Sequence, residues 1–153
     1  YGDHRDLHLS LRRQRQMCIR DRNSAECKVI KSKDLEVEIS SGNMSRYAGV
    51  SKGLVGATGI HLAIAKIPPK CSSSPHHHVN CESAIYVSKG EGRFLTGPNL
   101  TTSLEIKAGD FIYVPQGSVH QPINDSSTEI MELIVSRNTP VEIVEEYKID
   151  DVS

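Results

Sequence analysis

The sequence predicts an all-β domain, either a sandwich or a barrel, and three observations carry that expectation. Short runs of alternating apolar and polar residues recur from about Val29 onward. Gly, Pro, Asn or Asp closes each run, at a spacing of roughly 8–12 residues that is characteristic of such folds. The chain has no Trp and two Phe, so the interior must be filled by Ile, Val, Leu and Ala. At 153 residues, one domain is expected.

The first segment, residues 1–22, stands apart. It contains six Arg and no Val, Ala or Phe. A solvated basic arm and a nucleic-acid contact would both share that composition. The string "RQRQMCIRDR" instead resembles translated sequencing-adapter read-through, and the chain starts with Tyr. The segment is therefore read as a non-native leader without function, expected to be poorly ordered.

Residues 23–54 are expected to form an N-terminal extension. In "LEVEIS", Leu35, Val37 and Ile39 alternate with Glu36, Glu38 and Ser40, the pattern of a half-buried strand. "SGNMSRYAGVSKGLVGATG" holds five glycines and reads as loops with short extended pieces. The main barrel is expected over residues 55–140. Its strand candidates are "IHLAIAKI" (60–67), "SAIYVSKG" (83–90), "RFLTG" (93–97), "SLEIKAG" (103–109), "DFIYVPQG" (110–117) and "TEIMELIVS" (128–136). The last has Glu, Met and Leu that suit a helix, and strand is chosen because the surrounding domain is made of strands. A weaker candidate, "VEIVEEY" (141–147), lies in the C-terminal tail, 141–153.

Charge and composition exclude several classes. Net charge is −1, so the overall balance gives no attraction to nucleic acid or to a membrane surface. No apolar run approaches the ~18 residues that would span a bilayer. Cys18, Cys27, Cys71 and Cys81 include no C-x-x-C pair and no secreted disulfide pattern. They read as reduced thiols in a cytoplasmic protein.

Chemistry first enters at "PHHHVNCESAIYVSKGEG" (75–92). Side chains at i and i+2 of a strand share a face, so His76 and His78 would point together and His77 away. An exposed polyhistidine loop or a solvated turn would look similar. A second stretch, "GDFIYVPQGSVHQPIN" (109–124), runs from a turn glycine through a strand to Pro115 and Gly117, just ahead of His120.

Together the two stretches resemble the cupin superfamily. The second cupin motif, G-(x)5-P-x-G-(x)2-H-(x)3-N, is matched at Gly109, Pro115, Gly117, His120 and Asn124. The first, G-(x)5-H-x-H-(x)3,4-E-(x)6-G, is matched with two departures at Lys70, His76, His78, Glu82 and Gly90. The string around the histidines is most similar to small single-domain RmlC-like cupins. The resemblance implies a double-stranded β-helix, or jelly-roll barrel, enclosing a ligand cavity. It also implies a divalent metal (Fe, Mn, Ni or Zn) held by His76, His78, Glu82 and His120, with coordination positions left open. Small cupins often dimerise, which implies a homodimer, and the strand-like pieces at 35–39 and 141–147 could lend edges to a partner sheet.

The departures have physical consequences. Lys70 stands where the motif has a turn glycine, which implies mild strain or another turn type. Glu82 is correctly spaced from His78, yet counting back from Gly90 puts the usual glutamate slot on Ser83. Alternation sets Ser83, Ile85 and Val87 on one face and Glu82, Ala84 and Tyr86 on the other. A bulge near Cys81–Ser83 is therefore needed to aim Glu82 inward.

Outside the metal set, Tyr86 and Tyr113 are weak candidates for a catalytic hydroxyl, with packing as their default. His61 reads as an ordinary strand histidine, Cys81 as a small buried residue, Asn124 as a turn residue and Arg93 as a surface cation. Two functions follow. One is a metal-dependent isomerase, lyase or dioxygenase acting on a small molecule. The other is a non-catalytic sugar- or metabolite-binding cupin with a structural or vestigial metal.

Overall fold

A computed structural model describes residues 26–149, so the leader expected at 1–22 lies outside the described residues. Among the described residues, eleven strands form two antiparallel sheets. They are β1 (Glu36–Ser41), β2 (Met44–Val50), β3 (His61–Ile67), β4 (His76–His78), β5 (Ser83–Lys89) and β6 (Glu91–Thr96). The rest are β7 (Thr102–Lys107), β8 (Phe111–Val114), β9 (His120–Asn124), β10 (Met131–Arg137) and β11 (Val144–Glu146). A six-stranded sheet runs β1-β2-β3-β10-β5-β8, and a five-stranded sheet runs β11-β4-β9-β6-β7.

Period-two burial explains why these segments are strands. On β10, Met131, Leu133, Val135 and Arg137 are buried and the residues between them are partly open. The helical composition of this segment is overridden because its apolar residues fit one face of a sheet. β3 alternates in the same way through His61, Ala63, Ala65 and Ile67, and β5 through Ser83, Ile85 and Val87. Ile67, Val87, Met131 and Leu133 are essentially sealed, and Phe94, Ile106 and Val114 close the core from the other strands.

The expectation of loops with short extended pieces across 41–59 needs correction. β2 is a seven-residue strand paired along β3, and it turns Met44, Arg46 and Ala48 inward. Its period was hidden because one inward residue is an arginine and the strand carries Ser45, Ala48 and Gly49 around it. A one-turn helix follows at Lys52–Val55, capped where Leu54 N donates to Ser51 Oγ at 3.0 Å. The segments on either side of 55–140 thus extend both sheets: β1 and β2 continue one, and β11 pairs with β4 in the other.

Two turns set up the site. Gly117 adopts φ 76°, a left-handed conformation natural to glycine, and its N–H donates to His78 O at 2.8 Å. The turn before β9 is thereby fastened to β4. Lys70 holds φ 57°, so a side chain does occupy the left-handed turn position. Its N–H donates to Ser126 O at 3.0 Å, which helps hold the turn in place.

Candidate metal centre

β4 and β9 are hydrogen-bonded neighbours, with His76 opposite His120. His78, two residues along, shares the inward face. The ring centroids are 4.5 Å apart for His76 and His120, and 5.2 Å apart for each of the other two pairs. All three rings are buried, and their candidate ligand nitrogens lie within 4.8 Å of one another. Phe94 stacks on His120 with an interplanar angle of 8°, which fixes that ring from the apolar side.

Two of the three outer nitrogens are committed. His76 Nδ1 donates to Ser74 O at 2.7 Å and His120 Nδ1 to Ser118 O at 2.9 Å. A carbonyl only accepts, so in both rings Nδ1 carries the proton and Nε2 keeps its lone pair. His78 Nδ1 lies 3.1 Å from Glu142 Oε2. Burial pushes the His120 imidazolium pKa down to about 3, with the neighbouring His76 adding to the effect. Burial likewise lowers that of His76. Two imidazoles held neutral, with Nδ1 anchored and Nε2 free, are the state in which histidine binds a transition ion, and orienting partners of this kind are typical around metal ligands. The donor set therefore fits a divalent metal.

Glu82 is not brought to the imidazoles, and this corrects the expectation for it. Its side chain is exposed, accepts from Tyr113 Oη at 2.8 Å, and lies 3.4 Å from Asn138 Nδ2. β5 begins at Ser83 without a bulge that would re-aim Glu82, so strict alternation sends Ser83 inward to line the cavity. Tyr86 and Tyr113 also sit on the outer face, beside the exposed Phe111. They too are removed from the centre, because they share the parity of Ala84 and Glu82.

The remaining candidates take structural places. His77 faces outward, 3.3 Å from Glu145 on β11. Asn124 is fully buried, and its amide donates to Ile67 O and Glu129 O at 2.9 and 2.8 Å. It pins the end of β9 to the end of β3 and to the loop before β10, in the other sheet. Arg93 makes a two-bond surface pair with Asp125 at 2.8 and 2.9 Å. Cys81 is buried, and burial pushes its thiol pKa up. Among the described residues Cys27, Cys71 and Cys81 are free thiols.

A second cluster adjoins the imidazoles. Arg46 of β2 and Arg137 of β10 are both buried and line the same cavity. Arg46 Nη2 lies 2.9 Å from Glu38 Oε2 and also contacts Glu142 Oε1. Arg137 Nε lies 2.7 Å from Glu142 Oε2, and Arg137 Nη1 lies 3.1 Å from His61 Nδ1. Since a guanidinium only donates, His61 Nδ1 accepts and its Nε2 donates to Glu38 at 2.6 Å. His61 is thus more than an ordinary strand residue. Sequence reading missed Arg46, Arg137 and Glu142. Arg137 had a signal, since it continues the inward parity of Met131, Leu133 and Val135; Glu142 had none.

The space enclosed by these groups is about 30 Å³, room for about one or two water molecules. Residues 63–136 match the model of the cupin domain family. Residues 63–136 are a cupin domain. Known structures agree at the level of fold. The polyketide cyclase RemF from Streptomyces resistomycificus superposes with a TM-score of 0.68 at 20% identity, covering 82% of this chain and 89% of its own. A protein described as a predicted oxalate decarboxylase from Thermotoga maritima gives 0.61 at 24% identity, covering 73% and 99%. A sugar phosphate isomerase of the cupin superfamily from Silicibacter pomeroyi gives 0.61 at 17%, covering 80% and 83%. No curated protein matches the chain significantly. Among the described residues, no helix is long and apolar enough to cross a membrane.

Proposed function

We propose that this cupin domain holds a divalent transition metal (Fe, Mn, Ni or Zn) through His76, His78 and His120, and acts on a small molecule at the ion's free positions. The observation that carries the reading is the anchoring of Nδ1 in His76 and His120, which leaves Nε2 of each ring as a lone-pair donor. Three imidazoles without a carboxylate leave more open positions than the four-residue set first expected, and suit borderline cations. A bound ion of this kind supplies Lewis acidity or binds dioxygen. The chain's own contribution is a dry apolar wall of Ile85, Phe94, Leu133 and Val135, two inward guanidiniums and the Ser83 hydroxyl. The superposed structures include a cyclase, a decarboxylase and an isomerase, and those activities belong to those proteins. Fold alone does not choose among them.

Elemental analysis of untagged protein tests the site. Near-stoichiometric metal is expected in the wild type and in Glu82→Ala, with loss in His76→Ala and His120→Ala. Full metal content in His120→Ala would sink the assignment.

A second reading, a non-catalytic sugar- or metabolite-binding cupin, is favoured by one feature. No carboxylate or phenol is among the described residues lining the cavity, so proton transfer lacks an evident carrier. Metal bound without turnover or oxygen uptake across a broad substrate panel would select it. A homodimer is part of the proposal as well. β1 is an outer strand of its sheet, with Val37 and Ile39 75% and 91% exposed. Sedimentation should give a dimer that Ile39→Glu weakens.

A further inference from the structure

The buried charges beside the metal centre raise a question of economy. Arg46 and Arg137 put two guanidiniums into an apolar cavity, and buried cations are costly unless closely paired. Glu38 serves Arg46 and His61. Glu142 serves Arg46 and Arg137 together, with one oxygen also facing His78. Burial alone would raise the pKa of Glu142, but contact with His78 and the charges of Arg137 and Arg46 outweigh it and hold the pKa well below the usual carboxylate range. A carboxylate thus already sits across two arginines at the edge of three imidazoles.

The segment that delivers it buries little apolar surface. Along 141–146, Glu142 alone turns inward; Val141 and Ile143 are 54% and 53% exposed, and every residue of β11 is exposed. The attachment is mostly polar. β11 pairs with β4 from Val144 to Glu146. Around that ladder, Val79 N donates to Ile143 O, Ile143 N to Asn80 Oδ1, Asn80 Nδ2 to Val141 O, Tyr147 N to Pro75 O and Tyr147 Oη to Asn99 Oδ1, all at 2.7–2.9 Å. Segments with little buried apolar surface open at low free energy. Outside the strap's carboxylate lies a hollow of about 480 Å³ that also touches Arg46 and His76. Glu142 lines this outer hollow, and the inner cavity of about 30 Å³ is too small for an organic molecule of several heavy atoms. Arg46 and His76 line both spaces.

We propose that Glu142 occupies the place of a substrate carboxylate: the ligand of this cavity is a small organic carboxylate that binds Arg46 and Arg137 beside His78 once the 140–147 strap swings out. Charge supports this. With Glu142 withdrawn, Arg46 and Arg137 face Glu38 alone, leaving one positive charge uncompensated, and a divalent ion would add two more. A planar carboxylate presented to the guanidinium forks replaces the one negative charge that Glu142 withdraws, with directed hydrogen bonds. The proposal deepens the small-molecule reading above and relies on the cavity more than on the ion.

The test uses the full chain as purified, with metal content measured before and after each titration. Malonate is the probe, neutral malonamide the uncharged control and inorganic phosphate the tetrahedral one. In calorimetry, Glu142→Gln is expected to tighten malonate binding about tenfold or more, because the closed strap no longer competes. Arg137→Ala is expected to abolish binding, and malonamide to give no heat. In the wild type, saturating malonate should speed hydrogen exchange at the amides of Val79, Ile143 and Tyr147, a readout that needs no variant to fold. Equal or weaker malonate affinity in folded Glu142→Gln would overturn the proposal. So would phosphate binding tighter than malonate, or malonate binding with exchange at the strap unchanged. If the wild type carries no metal, the metal reading fails while the malonate arms still report on the arginines. If metal is present and the malonate arms are negative, this proposal alone falls.

Discussion

Glu82 and Glu142 are two carboxylates with a claim on the same histidines, and they occupy opposite settings. Glu82 follows His78 closely in sequence, yet its side chain is exposed on the outer face and accepts from Tyr113. Glu142 arrives from the far end of the chain and sits against Arg46, Arg137 and His78. Proximity along the chain decided neither position. Strand parity placed the first outside, and strap topology brought the second in. The inner group is a buried, mutually dependent cluster, whereas the outer one is a solvated pair on a sheet surface. Perturbing each should therefore have very different consequences.

The largest contrast is expected on acidification of metal-free protein. Below about pH 6.5 the unfolded chain protonates His120, which the native chain resists until about 3. Over that window the unfolded state binds more protons, so stability falls as pH falls, at about 1.4 kcal/mol per unit for one such group. His76 acts in the same direction. Glu142, ionised in the native state below its ordinary 4.5, extends the loss to lower pH. Urea unfolding at pH 7, 6, 5 and 4 should show a steadily declining midpoint. A flat profile would mean that the imidazoles are not held neutral by burial.

Next in size is Arg137→Ala. Removing one member of a buried ionic cluster strands the other, so Glu142 loses one of its two guanidiniums and His61 a donor. Such losses cost about 3–5 kcal/mol, measurable as a shift in the urea midpoint at constant slope. Asn124→Ala should follow at about 1–3 kcal/mol, since it leaves the carbonyls of Ile67 and Glu129 without their donor inside the fold. If Asn124→Ala cost more than Arg137→Ala, the cluster would be less tightly coupled than its distances imply.

Much of this architecture was legible in the chain. The strands β3 and β5 follow from strand-like apolar runs closed by turn residues, β10 from the strands around it, and the convergence of His76, His78 and His120 from two matched motifs with compatible parity. The failures have definite causes. β2 escaped notice because Arg46 occupies an inward position that pattern reading assigns to solvent. Glu82 was credited with a bulge that β5 does not contain, although the count back from Gly90 already pointed to Ser83. The face of Tyr113 is set by its pairing with the outward Ala84, a register that no local pattern encodes. Glu142 was out of reach. Its role depends on β11 folding back along β4, a long-range pairing for which a segment as polar as "VEIVEEY" carries no specific code.

The smallest effect belongs to the outer face, and it is the sharpest check on the division between the two regions. The Tyr113–Glu82 hydrogen bond is solvent-exposed, with Tyr113 66% accessible, and it pushes the phenol pKa up. Water replaces either partner readily, so Tyr113→Phe and Glu82→Ala should each leave the urea midpoint close to that of the wild type. Metal content should remain that of the wild type in both. In the double variant the two small effects should simply add, as expected for an exposed pair. The informative outcome is a loss of metal in Glu82→Ala alone. That would require the carboxylate to swing inward past Ser83, against the parity of β5, and would return the site to three imidazoles plus one carboxylate.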